Sequence, residues 1–131
     1  MSYGSRHIPT EIRQKKAERV LEVTWDTGEK FRYTMEFLRV QCPCAKCAGH
    51  TPAEAQLVDG KQDVVITELA PVGHYAIKCV FDDGHDSGLY SWETLFELGI
   101  HQEALWQAYL DALKAAGKRR KASIIPIQPM M

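Results

Sequence analysis

Three cysteines within six residues, Cys42-Pro43-Cys44-Ala45-Lys46-Cys47, constrain this chain more than any other feature. Three thiols so close in sequence converge on one point only if the backbone makes a tight knuckle. A soft cation that holds the sulfurs together gives such a knuckle a physical reason to exist. Zinc favours a tetrahedral set of thiolate and imidazole ligands, and a closed set of four marks a structural site. Three thiolates on Zn²⁺ leave one negative charge, so a neutral imidazole suits the fourth position. Two histidines compete for it. His50 lies just beyond Cys47 and needs a very tight local loop, in which Gly49 supplies some freedom. His85 sits in a distant turn, Asp82-Asp83-Gly84-His85-Asp86, and would crosslink the knuckle to the rest of the fold, which makes it the preferred ligand. Asp82, Asp83 and Asp86 are placed to accept its second ring N–H and fix the tautomer.

The chain of 131 residues suits one domain, and at that length roughly two-thirds of the unfolded surface can be buried. Lys and Arg number 16 against 17 Asp and Glu, for a net charge of −1, which excludes a strongly basic nucleic-acid binder. No apolar run approaches the roughly 18 residues of a membrane span, and Met1–His7 contains no signal-peptide core. A soluble, cytoplasmic protein is therefore expected. In that reducing compartment the four cysteines are ligands, core residues or redox thiols rather than disulfides.

Strands come first along the chain and helices last. Val20–Trp25 is β-branched and aromatic, turns at Asp26-Thr27-Gly28 and returns as Lys30–Thr34. A second hairpin is expected from Asp63–Leu69, a turn at Pro71-Val72-Gly73, and a strand from His74 to Phe81. In that strand Tyr75, Ile77, Cys79 and Phe81 share one face. Ser91 can cap a helix that carries Trp92, Leu95, Phe96 and Leu98 and stops at Gly99. A longer helix follows with Leu105, Trp106, Tyr109, Leu110 and Leu113, ending near Gly117. The expected fold class is α+β: a small antiparallel sheet of hairpins, a zinc knuckle loop and C-terminal helices. The core is expected to contain Trp25, Phe31, Leu38, Tyr75, Ile77, Phe81, Leu95, Phe96 and Leu105. Residues 1–8 read as a loose N-terminal segment, 9–117 as the domain, and 118–131 as a basic, disordered tail.

Other chemistries find less support. Cys44-Ala45-Lys46-Cys47 has the C-x-x-C spacing of thiol oxidoreductases, but Cys42 and Pro43 crowd it, and Gly49 and Pro52 prevent the long helix such sites open. Cys79 lies on an apolar strand face and reads as a small core residue. Recruited to the other three thiols, it would instead complete a four-thiolate site for zinc or iron–sulfur. His101-Gln102-Glu103 supplies the local half of a facial iron triad, yet no later histidine completes it. There is no G-x-S-x-G, P-loop or G-x-G-x-x-G. Asp82-Asp83 reads as a solvated turn.

Trp25-Asp26-Thr27-Gly28, Phe37 to Cys47 and Asp83 to Trp92, in that order, resemble the gamma-butyrobetaine hydroxylase-like N-terminal domain. The resemblance runs from about Pro9 to Gly117. In carnitine-synthesis dioxygenases this small domain precedes the catalytic one and binds zinc through three cysteines and a histidine. By resemblance these are Cys42, Cys44, Cys47 and His85 here. The chain stops after the small domain, so neither iron, 2-oxoglutarate nor hydroxylation is implied. Stand-alone bacterial relatives keep Gly49-His50, Pro71-Val72-Gly73 and the Asp83–Trp92 block but replace the thiols, which implies that the fold can stand without metal. A related domain is attached to Mrp-type iron–sulfur scaffold ATPases of plastids, an analogy that brings cluster assembly into view.

The resulting expectation is a non-enzymatic interaction or accessory domain with one structural Zn²⁺ and a protein partner, bound neither to membrane nor to nucleic acid. Its rivals are an iron–sulfur cluster carrier or assembly accessory, and a thiol oxidoreductase working through Cys44.

Overall fold

Alternation along Val20–Trp25 decides the first layer of the fold. In this computed structural model, which describes residues 7–43, 57–86 and 88–121, Leu21, Val23 and Trp25 are at most 1% exposed. They lie on one face of strand β2 (Val20–Trp25), the centre of an antiparallel sheet ordered β1-β2-β3. Its neighbours are β1 (Pro9–Lys15) and β3 (Lys30–Thr34). Register pairs Ile12 with Val23 and Leu21 with Tyr33, so apolar side chains gather on the same side. On the other face Glu22 is buried beneath the stems of Lys15, Lys30 and Arg32, whose cationic groups stand 3.6–3.8 Å from its carboxylate.

Thr34 then caps a six-residue helix, α1 (Met35–Val40), by accepting the Phe37 N–H at 3.0 Å. A second antiparallel sheet, ordered β4-β5-β6, consists of Ile66–Val72, Ala76–Phe81 and Gly88–Ser91. Helix α2 (Trp92–Ile100) begins at Ser91, whose hydroxyl accepts the Thr94 N–H at 3.1 Å. Helix α3 (Gln102–Ala116) ends at Gly117 in a left-handed conformation. One apolar cluster joins β2, β3, α1, β4, β5 and α2 through Leu21, Tyr33, Met35, Leu38, Ile66, Phe81 and Leu95. Polar links also cross it: Tyr33 donates to the Leu95 carbonyl at 2.6 Å, and Gln14 donates to the Ile66 carbonyl at 2.6 Å.

The mixed α+β class stands as expected, but with two three-stranded sheets in place of one. Strands β1 and β6 and helix α1 add to the elements expected from sequence. The second hairpin turns later than expected, because Pro71 and Val72 complete β4 opposite Ile77 and Ala76. Pro71 is tolerated there because β4 is an edge strand. Tyr75 consequently falls in the turn, 51% exposed, and is not a core residue. Phe31 and Leu105 pack against the core without joining it, while Trp25, Leu38, Ile77, Phe81, Leu95 and Phe96 are buried as expected.

The basic stretch after Gly117 is engaged where it is described. Arg120 makes a two-pronged ion pair at 3.0 and 2.7 Å with Glu36, a residue only 4% exposed, and lies 5.1 Å over the Trp106 ring. The main chain of Arg119 and Arg120 accepts from Gly60 and Gln62 at 2.9 and 3.0 Å. Removing one partner strands the other in a desolvated site, so Arg120→Ala should lower stability by about 2–3 kcal/mol in a denaturant titration.

Gly99 does not stop α2 but lies within it, because the ring of Phe31 crosses the helix at that point. A Cβ there would meet Phe31 ring atoms at 2.3–2.8 Å. Gly99→Ala should therefore destabilise by about 1–3 kcal/mol despite the better helix propensity of alanine. A gain in melting temperature would contradict this packing.

Candidate metal centre

Helix α1 carries its chain directly to the cysteine segment. Gln41 closes the helix, the Cys42 N–H donates to the Arg39 carbonyl at 3.4 Å, and the Cys42 residue is only 3% exposed. Opposite it stands the turn from β5 to β6. There the Gly84 N–H donates to the Phe81 carbonyl at 3.1 Å, and Gly84 adopts φ 90°, which suits glycine. The Phe81 N–H donates to the His85 carbonyl at 2.9 Å, which closes the turn around the histidine. The two segments meet: Cys42 Sγ lies 3.1 Å from His85 Nε2, although 43 positions separate them in the chain.

Ionic contacts hold this meeting point. Asp83 Oδ2 lies 2.8 Å from Arg39 Nε and 2.7 Å from Lys61 Nζ. Its other oxygen accepts the His85 backbone N–H at 3.0 Å. The carboxylate contact to His85 described here is thus at its main chain, whereas a ring contact was expected. Asp82 serves the fold, accepting the Val65 N–H at 3.1 Å. Burial by itself raises the Asp83 carboxyl, but Lys61, the His85 amide and Arg39 outweigh it and hold the group at about 2. The expected solvated turn is therefore ion-paired at Asp83, whose side chain is 17% exposed. Tyr90 adds a wall: its hydroxyl donates to the Leu38 carbonyl, and burial, then the neighbouring Cys42 and Cys79, push it well above the usual phenol range.

Of the expected ligands, Cys42 and His85 are brought together, while Cys44 and Cys47, like the alternative His50, lie outside the described residues. Among the described residues, no three His, Cys, Asp or Glu side chains converge as a metal group. The chemistry of the pair fits zinc. A sulfur and an imidazole nitrogen on tetrahedral zinc stand about 3.6 Å apart, given bonds of about 2.3 and 2.1 Å. An opening of about half an ångström would convert the observed contact into that arrangement. Cys79 is fully buried in the core, and burial pushes its thiol up to about 12, as for a packing residue. His101 is exposed between α2 and α3, with Nε2 3.3 Å from Glu97.

The sequence reading missed Arg39 and Lys61. Their own signals are weak: a basic residue in the last turn of a helix and a lone lysine in a polar stretch. Only the fold reveals that both face Asp83. A concavity of about 580 Å³ is lined in part by Thr34, Glu36, Ile100, Glu103, Trp106 and Arg120. Its most buried charge, Glu36, is already paired to Arg120.

The fold belongs to a recognised class of small domain. Residues 12–96 match the family described as gamma-butyrobetaine hydroxylase-like, N-terminal, and the chain belongs to that family. A crystal structure of a DUF971-family protein of unknown function from Acidithiobacillus ferrooxidans is similar, at 45% identity and a TM-score of 0.59. That match covers 70% of this chain and 91% of the relative. Two solution structures determined by NMR are 38% and 39% identical, each with a TM-score of 0.78; they cover 95% and 100% of this chain and 98% of each relative. No curated protein matches.

The ion pairs at Asp83 set a pH dependence. Its folded pKa lies below the unfolded value, so its contribution is present above about pH 4 and is lost as pH falls through about 2. In chelator-treated protein, Asp83→Asn should lower stability at pH 7 by about 1–2 kcal/mol. The variant should also flatten the acid limb between pH 4 and 2 in urea titrations. An unchanged acid limb would refute the assignment.

Proposed function

We propose that this chain is a non-enzymatic, zinc-binding accessory domain that presents a fixed surface to a protein partner. Cys42, Cys44 and Cys47 would bind one Zn²⁺ as thiolates, and His85 as a neutral imidazole. Bound there, the ion supplies structural crosslinking rather than reaction chemistry, because a closed set of four ligands leaves no position for substrate. The observation that carries the reading is the 3.1 Å approach of Cys42 Sγ to His85 Nε2. A thiol and an imidazole from distant segments, one following a helix and the other in a hairpin turn, share a corner walled by Tyr90 and Arg39.

Three of the groups lining the 580 Å³ concavity serve the fold: Thr34 caps α1, and Glu36 and Arg120 pair with each other. No helix among the described residues is long and apolar enough to cross a membrane.

Native mass spectrometry with elemental analysis, on protein never exposed to chelator, tests the proposal. One zinc per chain is expected, lost in Cys42→Ala and in His85→Ala. Brown protein containing iron would favour cluster assembly instead, and metal-free protein would overturn the zinc site. With free zinc at 100 times its Kd, the ion should add about 2.7 kcal/mol to stability, and excess chelator should remove it.

A further inference from the structure

We infer that Asp83 is a positioning residue for the metal site, holding Cys42 and His85 within reach of one ion before any ion binds. This inference rests on the zinc reading above and assigns the residue that prepares the site. Three observations carry it. Asp83 is two residues from His85 and takes the His85 backbone N–H at 3.0 Å, which fixes the turn that bears the imidazole. Its other oxygen takes the Arg39 guanidinium at 2.8 Å, and Arg39 lies on the last turn of α1, three residues before Cys42. That guanidinium is only 10% exposed, so a desolvated cation anchors the end of α1 to the His85 turn. Lys61 reaches the same Oδ2 at 2.7 Å from the far side of the cysteine segment.

Arg39 and Lys61 thus bracket residues 40–60, the stretch that contains Cys42, Cys44 and Cys47. Both flanks of that stretch are thereby tied to one carboxylate, at 2.8 Å through Arg39 and at 2.7 Å through Lys61. A carboxylate that orients a histidine ligand commonly acts on its ring nitrogen. Here the same service is delivered through the main chain and through the helix that leads to the first cysteine. Charge adds to geometry: three thiolates and one imidazole on Zn²⁺ carry a net negative charge, and Arg39 and Lys61 offset it together with that of Asp83.

The test measures zinc affinity by competition with a chromophoric chelator for the full chain and for Asp83→Ala, Asp83→Asn and Gly99→Ala. Asp83→Ala should weaken zinc binding about 10–100-fold. It should also expose the His85 amide to faster hydrogen exchange in metal-free protein. Asp83→Asn, which keeps an acceptor for that amide but loses the charge, should give an intermediate loss and carries the test if the alanine variant does not fold. Gly99→Ala lowers stability away from the site and should leave affinity unchanged. Unchanged affinity in a folded Asp83 variant, or an equal loss in Gly99→Ala, would overturn the positioning role alone. Failure of the unaltered chain to bind zinc would overturn the zinc reading and the positioning role with it.

Discussion

The two three-stranded sheets of this protein turn their apolar faces into one shared core. Small sheets become stable when one face is buried against another element. Here Leu21, Val23 and Trp25 from one sheet and Ile66, Ile77 and Phe81 from the other enter a single cluster, with α1 and α2 contributing Leu38 and Leu95. The short helix α1 is central to this arrangement, because five of its six residues are buried. Its Met35 sulfur accepts the Ile66 N–H at 3.2 Å, and its Arg39 reaches the β5–β6 turn. The helix joins the sheets and delivers the chain to Cys42 in a fixed direction.

Buried charge is handled consistently. Glu22, Glu36 and Arg39 are each no more than 8% exposed; Glu22 faces opposite charge from the neighbouring strands, and Glu36 and Arg39 from distant parts of the chain. Replacing such pairs by apolar groups can be neutral for stability, so their value here lies more in fixing relative positions than in adding free energy. Glu36–Arg120 pins the segment after α3 to the first turn of α1, and Arg39–Asp83 pins its last turn to the turn that carries His85. Helix α1 is therefore held at both ends by charge and along its length by the core. The proposed metal site at its exit would inherit that rigidity, which is the condition under which ligands are positioned in advance of an ion.

Much of the scaffold was legible in the sequence, for identifiable reasons. The hairpin Val20–Thr34 announced itself by β-branched residues around Asp26-Thr27-Gly28, and the helix caps Ser91 and Gly117 carry local chemistry that needs no tertiary partner. Strand β1 was hidden because Pro9–Lys15 contains only one strongly apolar residue outside its proline, Ile12, so no alternation stands out. Helix α1 was hidden because its burial is nearly all-round, leaving no polar stripe to reveal a helical period. Gly99 looked like a stop signal because propensity cannot register that an aromatic ring from β3 occupies the space of its missing Cβ.

The same division runs through the candidate site. Local sequence determined the donor chemistry: thiols clustered behind a helix, and an imidazole in an acidic turn. Resemblance to a family then strengthened the preference for His85 over His50, but neither residue type nor spacing could bring residues 42 and 85 to a common corner. That meeting required the two sheets to share a core, since their register sets where α1 ends and where the β5–β6 turn projects. It also required Arg39, Lys61 and Asp83, three charges unremarkable in sequence, to lose enough water that their attraction became directional. Residue identity is a property of the chain, whereas distance and desolvation arise only once distant segments pack together.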